Sequence, residues 1–507
     1  MMPAYYLEIM VIVLGLALLL ADAFVQGKDK RWLGLVGMLG LACVFALNFH
    51  ARGGEGGFWN YYVYGGKSFA GFYKALAILA TMLVLLMNLE YLPVLRLYTA
   101  ENHAAGEFFV LPLFACAGMM WAASACDLVS VFVSIELISV SFYILAAFMR
   151  RNTGSLEAGV KYLILGALST GFMVYGIAWI IGMTGTTNLN ALAGILQGGH
   201  TNEAGLLFGF ALLLVALGFK VGAFPFCLWI PDVYHGAPTP TTAFLSVGSK
   251  SAGFIVLIRV VEPFLRTATL SKRVAVLLAA ISAATLLYGS LVALVQNNFK
   301  RLMAYSSISQ AGFVLLAISC YPMVRNSASV LSPATVVSFY LASYLLMAML
   351  AFLVLALVRQ HLGSEDLTAY QGLARHSPFL AFVLLVSMAS LAGIPLTAGF
   401  FGKFFVFQLA IASKAWWLLG AATLAAACGF YYYLKVVRAM YFAEPEPDRA
   451  IEIRLSPLTK GVLALLVVGI FAFGVNPGPI LSQTRAAEVS KPTAAESSAD
   501  QSLRHRS

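Results

Sequence analysis

The chain has 507 residues, 61% of them hydrophobic and only 11% charged, where soluble domains carry about 25% charged residues; a string of water-soluble domains is excluded. Its formal net charge of +10 would indicate a nucleic-acid surface only if the basic residues clustered on a soluble face. They fall instead in short segments between apolar runs, the pattern of a polytopic membrane protein, so the expected surroundings are a lipid bilayer and no nucleic acid.

A spanning helix needs about 20 mostly apolar residues, and about fourteen runs qualify. The first, near 4–25, lacks a basic leader and a small-residue cleavage site and reads as a retained helix, not a signal peptide. The next two lie near 31–50 and 71–94, with the aromatic run "FWNYYVYGG" (58–66) between them as an interfacial belt. Then come 107–125, 127–149, 157–183, 204–230 and 239–265, followed by 273–297, 301–321, 333–359, 378–411, 415–441 and 456–476. Lys and Arg gather after odd-numbered runs, in "GKDKR" (27–31), "RRN" (150–152), "KR" (300–301) and "RQHLGSEDLTAYQGLARH" (359–376). The segments "AC" (125–126) and "TGTTNLNALAGILQGGHTNE" (184–203) carry none. By the positive-inside rule the basic loops are cytoplasmic and both termini periplasmic. Residues 1–484 are thus expected to form one all-α membrane bundle, and the polar stretch 485–507, without apolar periodicity, a disordered tail.

Two runs are interrupted. "LGFKVGAFPFCLWIPD" (217–232) contains Pro225 and Pro231, and "LAGIPLTAGFFGKFFVF" (391–407) contains Pro395. A proline inside a helix costs about 3 kcal/mol and is tolerated at membrane depth where other groups or water re-satisfy the freed carbonyls. One interrupted helix in each half of a chain points to transporters that relay ions near the midplane.

Lys220 and Lys403 lie beside these breaks. Two further charges fall inside apolar runs, Glu136 in "FVSIELISVSF" (132–142) and Lys250 in "FLSVGSKSAGF" (244–254). A charge at the bilayer centre costs roughly 2.5–3.5 kcal/mol on insertion scales, so pairing and hydration must lower the cost of all four. One carboxylate cannot neutralise three ammoniums. Low dielectric favours a neutral amine and a nearby carboxylate favours the ammonium, so a lysine whose acid moves nearer or farther is a proton switch, titrating with its neighbours as a coupled set.

Lys161, in "SLEAGVKY" (155–162), stands one turn after Glu157 and reads equally as a shallow i, i+4 surface pair or as an outer member of the relay. Lys300 and Arg301 read as topology-setting residues at a helix start. The six cysteines are scattered without C-x-x-C spacing, as small buried hydrophobes, and no redox cofactor is expected in this chain. The seven histidines lack metal-ligand spacing, and no G-x-x-x-x-G-K-[ST] phosphate loop occurs.

The segments "SIELIS", "EAGVKYLILGALSTGF" (157–172), "GFKVGAFPFCLWIPDVYHGAPTP" (218–240), "FLSVGSKSAGF", "RLMAYSSISQAGF" (301–313) and "LAGIPLTAGFFGKF" (391–404) together resemble the antiporter-like membrane subunits of respiratory complex I, nearest the subunit N group. The resemblance implies fourteen helices with two inverted five-helix repeats, about 107–265 and 273–441, each with a proline-broken helix. It implies that Glu136 modulates Lys220, that Lys250 bridges two half-channels, that Lys403 is the exit-side lysine and that Lys161 has a supporting electrostatic role. It also implies partners: further antiporter-like and other membrane subunits, with FMN, iron–sulfur clusters and quinone held elsewhere in the complex. Family members commonly have histidine at the positions of Cys227 and Gln310, so the link from Lys220 to Lys250 is expected to depend more on ordered water. The alternatives are a subunit of a multi-subunit sodium/proton antiporter, which shares the lysine block, and a non-pumping scaffold.

Overall fold

In hydrocarbon every backbone N–H and C=O must find its partner within the protein, which leaves a chain of this composition one local solution, the helix. The computed structural model describes residues 5–25, 30–50, 69–99, 106–198, 202–324, 330–444, 453 and 455–489. The predicted belt at 58–66, most of the loop 27–31 and the tail beyond 489 lie outside the described residues.

The helices are α1 (Tyr6–Phe24), α2 (Arg31–His50), α3 (Phe69–Tyr98), α4 (Glu107–Ser124), α5 (Leu128–Ala146), α6 (Thr153–Thr184), α7 (Leu189–Gly198), α8 (Glu203–Val221), α9 (Trp229–Gly236), α10 (Thr239–Phe244) and, after one π turn Leu245–Ser249, α11 (Lys250–Arg266). They continue as α12 (Ala268–Leu294), α13 (Phe299–Ser319), α14 (Tyr321–Val324), α15 (Pro333–Leu362), a 3₁₀ turn Leu367–Tyr370, α16 (Leu373–His376), α17 (Pro378–Ala392), α18 (Ala398–Ala412), α19 (Trp416–Phe442), α20 (Pro457–Val475) and α21 (Gly478–Val489). Thirteen of the described helices, counting Thr239–Arg266 as one rod, are long and apolar enough to cross a bilayer. The 15-residue helices α17 and α18 supply one more crossing in two pieces, which makes the fourteen read from the sequence. Three details differ from expectation: residues 189–198, taken as loop, form α7; the span read as 204–230 stops at Val221; and α21 continues to Val489, past residue 485 where the disordered tail was expected to begin.

Burial sorts the helices. α13 is buried apart from Arg301, α15 is buried from Pro333 to Val358, and α3 and α10–α11 are nearly so, whereas α1, α2, α6, α19 and α20 present apolar faces outward. With lipid outside, apolar side chains gain little from moving inward, and close backbone approach at small residues does the packing. At the α12–α13 contact a Cβ on Gly289 would lie 2.9 Å from the Tyr305 carbonyl, and one on Gly312 2.9 Å from the Leu286 amide. Either substitution would force these two helices apart.

Both interrupted helices end in the same way. After α8, Gly222 adopts φ +78°, with its N–H donating to the Gly218 carbonyl at 2.9 Å and the Ala223 N–H donating to the same oxygen at 2.8 Å. After α17, Gly393 adopts φ +92°, and the N–H groups of Gly393 and Ile394 both donate to the Ala389 carbonyl, at 3.1 and 3.0 Å. A left-handed glycine therefore terminates each helix, and the proline, Pro225 or Pro395, follows and keeps the helix from resuming. Pro231, read with Pro225 as part of the first break, sits in the opening turn of α9, where proline is tolerated.

A second motif also occurs twice. The amide of Leu128, at the start of α5, donates to the Thr187 carbonyl and Leu189 donates to Cys126, a bridge between Asp127 and Asn188. At the start of α13, Phe299 donates to Glu365 and Leu367 donates to Asn297, a bridge between Asn298 and Asp366. Alternating crossings place these two bridges on opposite faces of the bundle.

Candidate functional site

Two helices carry most of the site. On α5, Asp127 caps the N-terminus by accepting from the Val129 amide at 2.8 Å, which sets Glu136 two and a half turns, about 13 Å, into the bundle. Glu136 is half-buried and its Oε1 accepts from the Thr170 hydroxyl of α6 at 2.7 Å. One turn further along α5, Ser139 Oγ receives the Lys220 ammonium of α8 at 3.0 Å. Glu136 and Lys220 are therefore not in contact: each is held by a hydroxyl, and both anchor points on α5 are i, i+3 neighbours, about 5–6 Å apart. Glu136 remains the acid whose field acts on Lys220.

Lys220 and Lys250 flank the first break. The stem of Lys220 lies against Gly253, where a Cβ would come within 3.3 Å of its Cγ, and a Cβ on Gly222 would stand 3.7 Å from Lys250 Nζ. Lys250 Nζ donates to the carbonyl of Ser307 at 2.7 Å and also to its hydroxyl. The Tyr234 hydroxyl lies 3.4 Å from Ser307 Oγ, and Ser246 pairs with Tyr344 at 2.8 Å. Polar side chains thus surround Lys250 on α9, α10–α11, α13 and α15.

The neighbouring residue on α13, Ser306, pairs with the Tyr433 hydroxyl of α19. Gln310 Nε2 donates to Tyr433 at 3.1 Å and reaches the Leu391 carbonyl at 3.5 Å, while its Oε1 accepts from Tyr340 of α15. The Leu391 and Ala392 carbonyls, left over at the end of α17, accept from Lys403 Nζ at 2.9 Å each. Lys403 reaches back from α18 to cap that helix, where the macrodipole favours a cation, and its ammonium stands 5.4 Å from the centre of the Phe313 ring, within cation–π range. Lys220, Lys250 and Lys403 are each no more than 7% exposed, so none reaches a headgroup region by snorkelling.

Lys161 sits elsewhere. It is 42% exposed and lies 2.7 Å from Glu157 and 2.8 Å from Asp232, which also holds Arg301 at 3.3 Å. The surface-pair reading therefore describes its contacts, with Asp232 of α9 as a partner that spacing could not reveal. Lys300 departs from expectation more sharply. It is 1% exposed and donates to the carbonyls of Ala237 (2.6 Å) and His235 (3.3 Å), beside Glu365 at 3.2 Å. A topology-setting loop residue is in fact a buried tie between α9 and α13. Sequence reading also missed Ser139, Thr170, Ser307, Tyr340 and Tyr433, because hydroxyls in apolar helices are common. The signal available was Ser139, which shares a helix face with Glu136. A buried ion pair, Glu8–Lys74 at 2.6 Å with both side chains 1% exposed, was missed as well.

A helical membrane bundle with ammoniums buried at two glycine-terminated breaks, each held by hydroxyls or backbone carbonyls, is the arrangement of an antiporter-like membrane subunit. Residues 125–429 match the transmembrane family described as NADH:quinone oxidoreductase/Mrp antiporter, and the chain belongs to that family. It is 38% identical over 491 residues to NADH-quinone oxidoreductase subunit N of Paramagnetospirillum magneticum, covering 95% of this chain and 96% of that one. Among solved structures it is similar to a chain of respiratory complex I from Thermus thermophilus with bound aureothin, with 31% identity and a TM-score of 0.77 over 94% of this chain and 98% of that one. A chain of the Mrp complex from Dietzia sp. DQ12-45-1b shares the fold, with a TM-score of 0.76 over 97% of this chain and 99% of that one, at 19% identity.

Proposed function

We propose that the chain is a proton-translocating membrane subunit of an NADH:quinone oxidoreductase, driven by redox chemistry in partner subunits that hold the FMN, iron–sulfur clusters and quinone. The observation that carries this reading is a set of buried polar groups near both helix breaks in three hydrogen-bonded pieces: Lys220 on Ser139, beside Glu136 in sequence; Lys250 on Ser307; and Ser306 through Tyr433, Gln310 and the Leu391 carbonyl to Lys403. Ionisable groups at membrane depth are costly, pair with one another or with backbone carbonyls, and mark ion or proton pathways. The twin bridges and twin glycine stops support two inverted repeats, about 107–265 and 273–441.

Lys220 is the switch. With its ammonium on Ser139 it is separated from Glu136; a shift of one helical turn would restore the ion pair. Moving the carboxylate away removes the main favourable interaction of a buried cation, and the proton leaves for Lys250. Lys250 bridges the two breaks, Lys403 receives on the exit side, and Lys161 supports the arrangement from the basic-loop face through Asp232. That face is cytoplasmic, the membrane is the bacterial inner membrane, and both termini are periplasmic. The test is proton pumping alongside quinone reductase activity in the assembled complex carrying Glu136→Gln or Lys220→Ala. Both variants should pump less per turnover, and parental pumping in both would refute the assignment.

A further inference from the structure

The two breaks are braced by different means. At the first, the amide two residues beyond the stopping glycine, that of Phe224, donates to the Thr285 hydroxyl of α12 at 3.0 Å, and the Phe224 ring packs on Tyr288 with centroids 5.1 Å apart. Two residues beyond Gly393 stands Pro395, which has no N–H to offer. The second break is held by close approach instead. Leu396 adopts φ +70°, a backbone conformation that is costly for leucine and persists only where the surroundings impose it. The residue is 66% exposed, so the restraint falls on its backbone and not on its side chain.

Two contacts supply that restraint. Thr397 donates to the Ile394 carbonyl through its amide at 3.3 Å and through its hydroxyl at 2.6 Å, closing a turn. On the other side stands Gly474, near the end of α20. A Cβ there would lie 2.5 Å from the carbonyl carbons of both Leu396 and Thr397, and nearer still to the Leu396 oxygen, so only glycine lets α20 rest on this peptide.

Lys403 spans the same break. Its stem grows from α18, which begins at Ala398 directly after the pinned peptide, while its ammonium lies on the Leu391 and Ala392 carbonyls of α17, 2.9 Å from each. The other groups around it are the Phe313 ring of α13 and, against the adjacent Gly402, the Tyr340 ring of α15. A displacement of about 0.5 Å carried from the start of α18 to the ammonium takes both bonds beyond the usual N–H···O range. We propose that Gly474, on a helix that follows both repeats, is a positioning residue for Lys403: by seating the Leu396–Thr397 peptide it fixes where α18 begins and so keeps the ammonium on the end of α17.

This inference rests on the proton-carrying function proposed above, and the test keeps the two apart. In inverted membrane vesicles holding the assembled complex, Gly474→Ala should lower the protons pumped per NADH oxidised about tenfold, since a misplacement of about 1 Å can cost on the order of 100-fold. It should also shift the pH profile of pumping, which a packing defect alone would leave in place. Gly469→Ala, five residues earlier on α20, is the matched control: its Cβ would meet only the flexible end of the Leu346 side chain, at 3.3 Å, and it should pump like the parent. Thr397→Val loosens the same peptide by removing a hydrogen bond without adding bulk, should move the pH profile in the same direction with a smaller loss, and decides the matter if Gly474→Ala does not assemble. Parental ratios and pH profiles in both Gly474→Ala and Thr397→Val, while Lys220→Ala pumps less, would overturn the positioning role and leave the relay standing. A loss in Gly474→Ala with an unmoved pH profile would overturn it too. If Lys220→Ala and Glu136→Gln also keep the parental ratio, the function falls and this inference with it.

Discussion

The two broken helices end alike and are charged differently. Counting from the glycine that stops each one, Lys220 stands two residues before Gly222, and the same place before Gly393 is Leu391. Counting from the caps that form the twin bridges, Glu136 stands nine residues after Asp127, and nine after Asn298 is Ser307; Ser139 likewise corresponds to Gln310. The first break thus has an acid and a hydroxyl one turn apart on α5, with the lysine bonded to the hydroxyl. The second has a hydroxyl, an amide and a lysine held by two backbone carbonyls of a helix end. The backbone pattern recurs and the acid does not, and on the proposed function the first break is the switch and the second the receiver.

Making the first break resemble the second should have the largest effect. Lys220→Leu is expected to lower proton pumping about a hundredfold, the lower end of what a positioned proton-transfer group contributes, with the complex still assembled. Removing only the hydroxyl, in Ser139→Ala, deletes one charge-assisted hydrogen bond and should cost about tenfold in pumping rate, with Glu136→Gln adding little once Ser139 is gone; full additivity of the two would break the switch picture. In the second region, Gln310→Leu disconnects Tyr433 and Tyr340 from the Leu391 carbonyl and should slow pumping by about tenfold or less. Gln310→His restores a donor and acceptor and should pump near the parental rate. Lys161→Ala should be the mildest, under about threefold, because half-exposed pairs contribute little; a loss as large as that of Lys220→Leu would place Lys161 inside the relay.

Much of this was legible because a membrane makes charge conspicuous. Glu136, Lys220, Lys250 and Lys403 stood out against apolar runs, and Pro225 and Pro395 marked where two helices stop. What stayed hidden has physical reasons. Glycine, not proline, ends each helix, and the φ of Gly222 or Gly393 cannot be read from composition. Lys300 looked like a loop residue because burial at a helix start comes from what packs over it, here the end of α9 and Glu365, both remote in sequence. The hydroxyls of Ser139 and Ser307 gained significance only when other helices set Lys220 and Lys250 against them, and that of Tyr433 only when α19 set it against Ser306 and Gln310. The absence of histidine at Cys227 and Gln310 suggested greater reliance on water, yet Gln310 is itself bonded to two tyrosines and a carbonyl.

The proposed function makes Lys250 the joint between the two breaks, so its replacement is the most direct test. In proteoliposomes holding the assembled complex, Lys250→Met keeps the length of the side chain and removes the ammonium. Protons moved per NADH oxidised should fall below the parental ratio; a parental ratio in a fully assembled Lys250→Met complex would contradict a proton path through Lys250.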